Sequence, residues 1–331
     1  MTRRIAFCAD GTWEGAGNNT NVYKLSKAIT AIPGTQYSFY DDGVGASGTP
    51  IEKLLGGAIG LGLFQKIKDG YSTISSVYEA GDEIFIFGFS RGAYTARCLA
   101  GMIAACGLPT TNPDPNLVDQ AFEAYRNKPQ RAAILASLTA YNLVTANMTM
   151  VGVWDTVGSL GIPAIVGGVD PILYGFLDTG IHPDILNAYH AVAIDERRVE
   201  FPATLWTPPF APGQTVEQVY FVGVHGDVGG GYADDPTTQT ALSDITLSWI
   251  MSKAQTLGLA IDPSYPFPLD QKYALDTKHE DWNPLWLFPK SRTIAPKATL
   301  ANSVTVRLNQ DPTYRPPNLA GSSYATEIVV A

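Results

Sequence analysis

The 331-residue chain is long for one domain but ordinary for an α/β protein with insertions, and it is large enough to bury a substantial core. Its formal net charge of −9 argues against nucleic acid as the main partner and against simple electrostatic docking on an anionic membrane, leaving local apolar contact with lipid open. The three cysteines, Cys8, Cys98 and Cys106, make no disulfide framework and read as core filling.

The amino-terminal stretch MTRRIAFCADG has no long apolar segment and no small-residue cleavage site. No signal peptide is therefore visible, and synthesis is expected to end in the cytoplasm. A first strand is predicted over Arg4–Ala9, running into the turn Asp10-Gly11-Thr12-Trp13. A backbone N–H of Gly11 or Thr12 at that turn is a candidate oxyanion donor. A helix over Asn21–Ile29 and a strand over Gln36–Asp41 follow. Leu54–Phe64, LLGGAIGLGLF, is far too short to span a bilayer and reads as a lid-like loop or an interfacial contact. It falls within the first candidate lid or cap element, around 45–65, and a helix is predicted over Phe64–Tyr78.

The most informative stretch is next. The apolar strand Glu83–Phe89 feeds directly into Gly88-Phe89-Ser90-Arg91-Gly92 and then a helix over Ala93–Ala105, the context that a nucleophile elbow requires. A serine on such a strained turn stands free at the carboxyl edge of a sheet, and the small Gly88 and Gly92 let strand and helix approach. The amide of Arg91, directly after it, points to where an acyl oxyanion would form. Helices over Asn116–Tyr125 and Ala132–Tyr141 lead to a strand over Met148–Trp154, and Asp155 is the first residue beyond it. An aspartate there can receive the Nδ1–H of a histidine and fix its tautomer, although aspartates at strand ends also serve as turn or helix caps. Residues 159–190, rich in Gly, Pro, Ile and Leu, read as an insertion and the second candidate lid or cap, with Ile162–Phe176 a possible apolar wall.

Of the four histidines, His225 is best placed as a general base. It follows the predicted strand Gln218–Val224 and opens the glycine-rich loop His225-Gly226-Asp227-Val228-Gly229-Gly230-Gly231-Tyr232. His190 is the reserve. Asp227 is the rival acid, but it lies so near His225 that stabilising its own loop is the simpler role. A helix over Thr240–Ala254 follows, and the Pro-rich end from Pro263 to Pro317 reads as irregular surface wrapping. The alternation of strands and helices predicts an α/β-hydrolase-like, doubly wound, mostly parallel sheet with helices on both faces and a cap insertion, in one domain over 1–331. No metal-ligand cluster and no cofactor motif is visible, so neither a metal nor a cofactor is expected.

The blocks Asp10-Gly11-Thr12-Trp13 with Thr20-Asn21-Val22, GFSRGAYTAR from Gly88, GVWDTVG from Gly152, Asp195-Glu196-Arg197-Arg198 and VHGDVGGGY from Val224 resemble the catalytic domain of type VI secretion phospholipase effectors, across Ile5 to Tyr232. The resemblance implies a triad of Ser90, Asp155 and His225 and ester hydrolysis of glycerophospholipids. It further implies transient contact with a membrane surface, export by a type VI system, and a secretion-apparatus or immunity protein as partner. Larger effectors carry an additional region for membrane engagement, and the family covers many proteins with no tested substrate, which makes ester hydrolase a safer expectation than phospholipase. A short-chain or polymer esterase, a thioesterase and a non-catalytic module of the same fold remain the alternatives.

Overall fold

The computed structural model describes residues 2–11, 19–43, 57–158, 179–265, 270–282, 288–321 and 323–330, excepting the side chains of 57–61. In chain order the strands are β1 (Arg4–Ala9), β2 (Gln36–Asp41), β3 (Glu83–Phe89), β4 (Leu108–Pro109), β5 (Leu143–Val144), β6 (Met148–Trp154), β7 (Asn187–Ala193), β8 (Thr215–Phe221), β9 (Thr299–Ala301) and β10 (Ala325–Glu327). The helices are α1 (Asn21–Ala28), α2 (Gly57–Val77), α3 (Arg91–Cys106), α4 (Pro115–Arg126), α5 (Arg131–Ser137), α6 (His225–Gly229), α7 (Leu242–Thr256) and α8 (Asn302–Gln310). Eight strands form one sheet in the order β10-β9-β8-β7-β6-β3-β1-β2, and every pairing within it is parallel. β4 and β5 make a separate antiparallel pair.

A parallel sheet of this kind must be covered on both faces, and the strand residues sort accordingly. Ala6, Cys8, Phe85, Phe87 and Trp154 face a core built with α1, α7 and α8. Ile5, Phe7, Ile84, Ile86 and Val153 face a second core built with α2, α3 and α4. Phe85 and Phe87 are fully buried, each removal of such a ring from water stabilising the fold by about 2–3 kcal/mol. All three cysteines are buried and free, and burial pushes the thiols of Cys98 and Cys106 up to about 12, so they act as core residues.

The order reverses at β1: the chain first moves outward to β2, then returns to place β3 on the other side of β1. Such a switch point opens a crevice outside the carboxyl ends of the two central strands, where open α/β sheets bind ligands. Asp10 directly follows β1 and Ser90 directly follows β3, so both stand at this crevice. The close approach there depends on glycine. A Cβ on Gly88 would lie 2.4 Å from the Gly92 carbonyl oxygen, and one on Gly92 would lie 2.2 Å from that of Ala9. Gly92→Ala therefore drives a methyl into β1 backbone that has no room to shift. We expect a loss of about 3 kcal/mol or more in urea unfolding, and a stability within error of wild type would refute this packing.

Several boundaries differ from the sequence expectation. The helix expected from Phe64 begins at Gly57, so the carboxyl end of the first candidate lid is helical. Asn187–Ala193, whose first four residues had been assigned to the insertion, is a central strand of the sheet between β6 and β8. The strand expected over Gln218–Val224 runs three residues earlier at each end, Thr215–Phe221. The Pro-rich end contributes β9 and α8, with β10 just beyond it, instead of irregular wrapping alone. Residues 45–56 and 159–178, which hold most of the candidate lid or cap elements and all of Ile162–Phe176, lie outside the described residues. Among the described residues no helix is long and apolar enough to cross a membrane.

Candidate active site

Ser90 occupies the turn between β3 and α3 with φ 58° and ψ −120°, a conformation that L-residues rarely adopt. Its amide donates to the Trp154 carbonyl at 3.0 Å, tying the turn to the end of β6. Asp155, the next residue of that strand end, is also held at positive φ, 38°. Two such residues on adjacent strand ends mark a locally strained edge that the surrounding packing must enforce.

His225 is the first residue of α6, a single short helix following β8. Its Nδ1 lies 2.6 Å from Asp155 Oδ2. An ionised carboxylate there accepts the Nδ1–H and leaves Nε2 as the unprotonated nitrogen. The imidazole packs against Phe89, the residue preceding Ser90, at 4.6 Å between ring centres, and meets Phe201 edge-on at 5.2 Å. Gly229, at the other end of α6, lies so close to Phe89 that a Cβ would sit 1.9 Å from its ring. The histidine-bearing helix is thus pressed directly onto the strand that ends in Ser90.

Asp155 is fully buried and richly partnered. Arg292 approaches it in a bidentate fork, Nη1 to Oδ1 at 2.6 Å and Nη2 to Oδ2 at 2.9 Å, and the Ala193 amide donates to Oδ1 at 3.0 Å. Burial works to raise the carboxyl pKa, but the Arg292 charge and the His225 contact outweigh it and hold the group well below the usual carboxylate range. Asp155 is therefore held as the carboxylate. Arg292 also donates to the carbonyls of Ala193 and Phe201, which fixes the fork in place. Nothing local in the sequence pointed to Arg292, which stands 137 residues away in the Pro-rich end.

The remaining motif residues brace this arrangement. Glu196 accepts from the His225 backbone amide at 3.2 Å and is itself forked by Arg198 at 2.8 and 2.7 Å. Asp227 accepts from the Val224 amide at 3.0 Å and from the His279 ring at 2.7 Å, so it caps its own loop and leaves His225 to Asp155. Asn21 donates to the carbonyls of Val228 and Ser243 and to Thr246, joining α1 to α6 and α7. His190, the reserve base, lies fully buried within β7, where Nε2 accepts from the Thr156 amide at 3.0 Å. Burial depresses its pKa to about 3, which makes it a neutral structural histidine.

The candidate oxyanion donors fare differently. Arg91 is the first residue of α3, where helix geometry turns the N–H out of the helix end beside Ser90. The Gly11 amide is engaged by Asp10 Oδ1 at 2.7 Å, and Thr12 lies outside the described residues. Asp10 also accepts from Thr20 at 2.5 Å and Tyr40 at 2.8 Å, while burial raises its pKa to about 6. Among the described residues no group of three or more His, Cys, Asp and Glu side chains stands together as a metal site needs.

A parallel α/β sheet with a serine on a strained strand–helix turn and a histidine–aspartate pair at the same edge defines the general architecture. Residues 3–253 match the family described as T6SS, phospholipase effector Tle1-like, catalytic domain, and the chain belongs to that family. It is 29% identical over 238 residues to the uncharacterized protein YEL023C of Saccharomyces cerevisiae, a match covering 63% of this chain and 34% of that protein. The chain thus spans about a third of the length of this curated relative. An uncharacterized protein from Pseudomonas aeruginosa shares the fold, with a TM-score of 0.51 and 17% identity over 78% of this chain and 46% of the other. A Tle1 effector bound to the VgrG spike of the type 6 secretion system superposes with a TM-score of 0.46 and 14% identity over 96% of this chain and 82% of the effector.

Proposed function

We propose that the chain is a serine-dependent lipolytic ester hydrolase, a phospholipase that releases fatty acid from glycerophospholipids through an acyl-enzyme. The observation that carries this reading is the 2.6 Å contact between His225 Nδ1 and the buried, ionised Asp155, on the same sheet edge as the strained Ser90. With Nδ1–H committed to Asp155, Nε2 can take the proton of Ser90 Oγ as the oxygen attacks the ester carbonyl. The tetrahedral oxyanion is stabilised by the Arg91 amide together with a donor from the Gly11–Thr12 turn, once Gly11 is released from Asp10 or Thr12 supplies the bond. Collapse expels the alcohol, which takes the proton back from His225. Water activated by the same histidine then attacks the acyl-Ser90 ester, releases the fatty acid and restores the serine. Family membership supports lipid esters as substrate, export by a type VI system and a secretion-apparatus partner; transient contact with a membrane surface and an immunity protein as partner belong to the same proposal.

Labelling by a fluorophosphonate probe tests the nucleophile, and fatty-acid release from phospholipid vesicles, short-chain esters and thioesters tests the substrate. The expected result is covalent labelling of wild type, none of Ser90→Ala, and preferential cleavage of phospholipid. Labelling with turnover of short esters or thioesters alone would reassign the substrate, and no labelling of folded wild type would reject the catalytic reading.

A further inference from the structure

A second cavity lies away from Ser90, on the face of the sheet covered by α3 and α4. Its volume is about 530 Å³, within the range of small-molecule sites. Its lining carries Arg97, Lys128, Arg131 and His182, and neither Asp nor Glu is present among the described residues that form it. Among the described lining residues the fixed charges, Arg97, Lys128 and Arg131, are all positive, in a chain with a net charge of −9, while His182 stands 3.6 Å from Asp184 beside the lining.

Arg97 is the unusual member. It is 4% exposed, and one guanidinium nitrogen donates to the Thr204 carbonyl, while Nε and Nη2 are buried without any hydrogen-bond partner. Its charge lies over the Trp206 ring at 4.6 Å, and among the described residues no carboxylate pairs with it. A buried guanidinium with two unanswered donors costs several kcal/mol unless a counter-charge arrives. Elsewhere in the same protein a buried arginine has its anion, as Arg292 has Asp155. Burial lowers the Arg97 pKa to about 10, so it remains a cation at neutral pH. Arg131 adds positive charge while spending Nε and Nη2 on the carbonyls of Ala124 and Tyr125. The rest of the wall is mostly apolar, with Trp206, Ile181 and Ile185 prominent and Tyr125 and Thr207 as its polar members.

We infer that this cavity is a non-catalytic binding site for an oxyanion carried on an apolar body, a carboxylate or phosphate that meets Arg97 while its tail lies along Trp206 and Ile181. The guanidinium fork suits either oxyanion. The inference does not depend on which residue cleaves an ester, because the site shares no residue with the Ser90–His225–Asp155 edge.

Titration calorimetry on the full chain, with octanoate, octyl phosphate, inorganic phosphate and octanol as probes, tests it. At least one of octanoate and octyl phosphate should bind, the tighter of them naming the source of the oxyanion, with octanol and inorganic phosphate at least about tenfold weaker. Arg97→Met should weaken binding about tenfold or more, as expected for loss of a charged hydrogen bond, and the exposed rim variant Lys128→Glu severalfold. Octanol binding as tightly as the anions would overturn the oxyanion contact. Inorganic phosphate matching octyl phosphate would overturn the apolar one. Absence of binding by both amphiphiles, or affinity unchanged in the variants, would overturn the site itself, and Lys128→Glu alone decides if Arg97→Met does not fold.

Discussion

On the proposed mechanism Ser90→Ala should lower ester turnover by roughly 10⁴-fold or more, the loss expected when the nucleophile of a unit that acts together is removed. The fold should survive, because the methyl of alanine occupies the position of the serine Cβ and inherits the same φ of 58° without adding an atom to the crevice. Ser90 is 6% exposed. Substrate affinity should change little, which places the loss in kcat. Parallel measurement of kcat, KM and the urea midpoint checks this. A variant that keeps more than about a hundredth of wild-type kcat would show that Ser90 is not the attacking group.

Arg292→Met has the largest expected effect on stability. Removing one member of a buried ion pair typically costs about 3–5 kcal/mol, because the abandoned charge is left in a dry environment. Arg292 and Asp155 both qualify, each being buried. The pH dependence follows from the depressed folded pKa of Asp155. A carboxyl of this kind contributes stability that is present above its unfolded pKa, about 4, and is lost as pH falls through the folded value. In the variant, burial is no longer offset by the guanidinium, so the folded pKa rises and Asp155 takes up a proton at milder acidity. The gap in unfolding free energy between wild type and variant should therefore be widest at neutral pH and narrow on acidification. Activity should fall with it, since an Asp155 that is protonated or reoriented no longer fixes the His225 tautomer. Urea unfolding at several pH values from 7 to 4 is the measurement, and a gap independent of pH would reject the ion-pair account.

The parts of this architecture legible in the sequence are those with local causes. β1, β3 and β6 are nearly continuous apolar runs bounded by turn formers, β2 is the aromatic-rich QYSFYD, and the ends of all four fall where the pattern places them. The elbow is legible because strand, small residues and helix are contiguous. β7 was only partly anticipated: Asn187-Ala188-Tyr189-His190 opens it with polar residues, and the strand reads as such only once its neighbours in the sheet are known. β8 was placed late because Val222-Gly223-Val224 prolongs the apolar run past the last paired residue, Phe221. β9 and β10 are three residues each, too short for any periodicity to register. Arg292 had no signal at all, since an arginine between Ser291 and Thr293 in a Pro-rich stretch resembles any exposed arginine, and only the three-dimensional path brings it to Asp155.

That path bears on how the protein can be divided. The family match ends at residue 253, yet the guanidinium that balances Asp155 and the imidazole that braces the α6 loop, Arg292 and His279, both lie beyond it. A fragment cut at the homology boundary would retain the serine, the histidine and the aspartate while discarding the counter-ion that keeps the aspartate charged. The unit recognisable by ancestry and the unit that is electrostatically complete are therefore different lengths of chain. Expression, domain grafting and comparison with longer relatives should use the second.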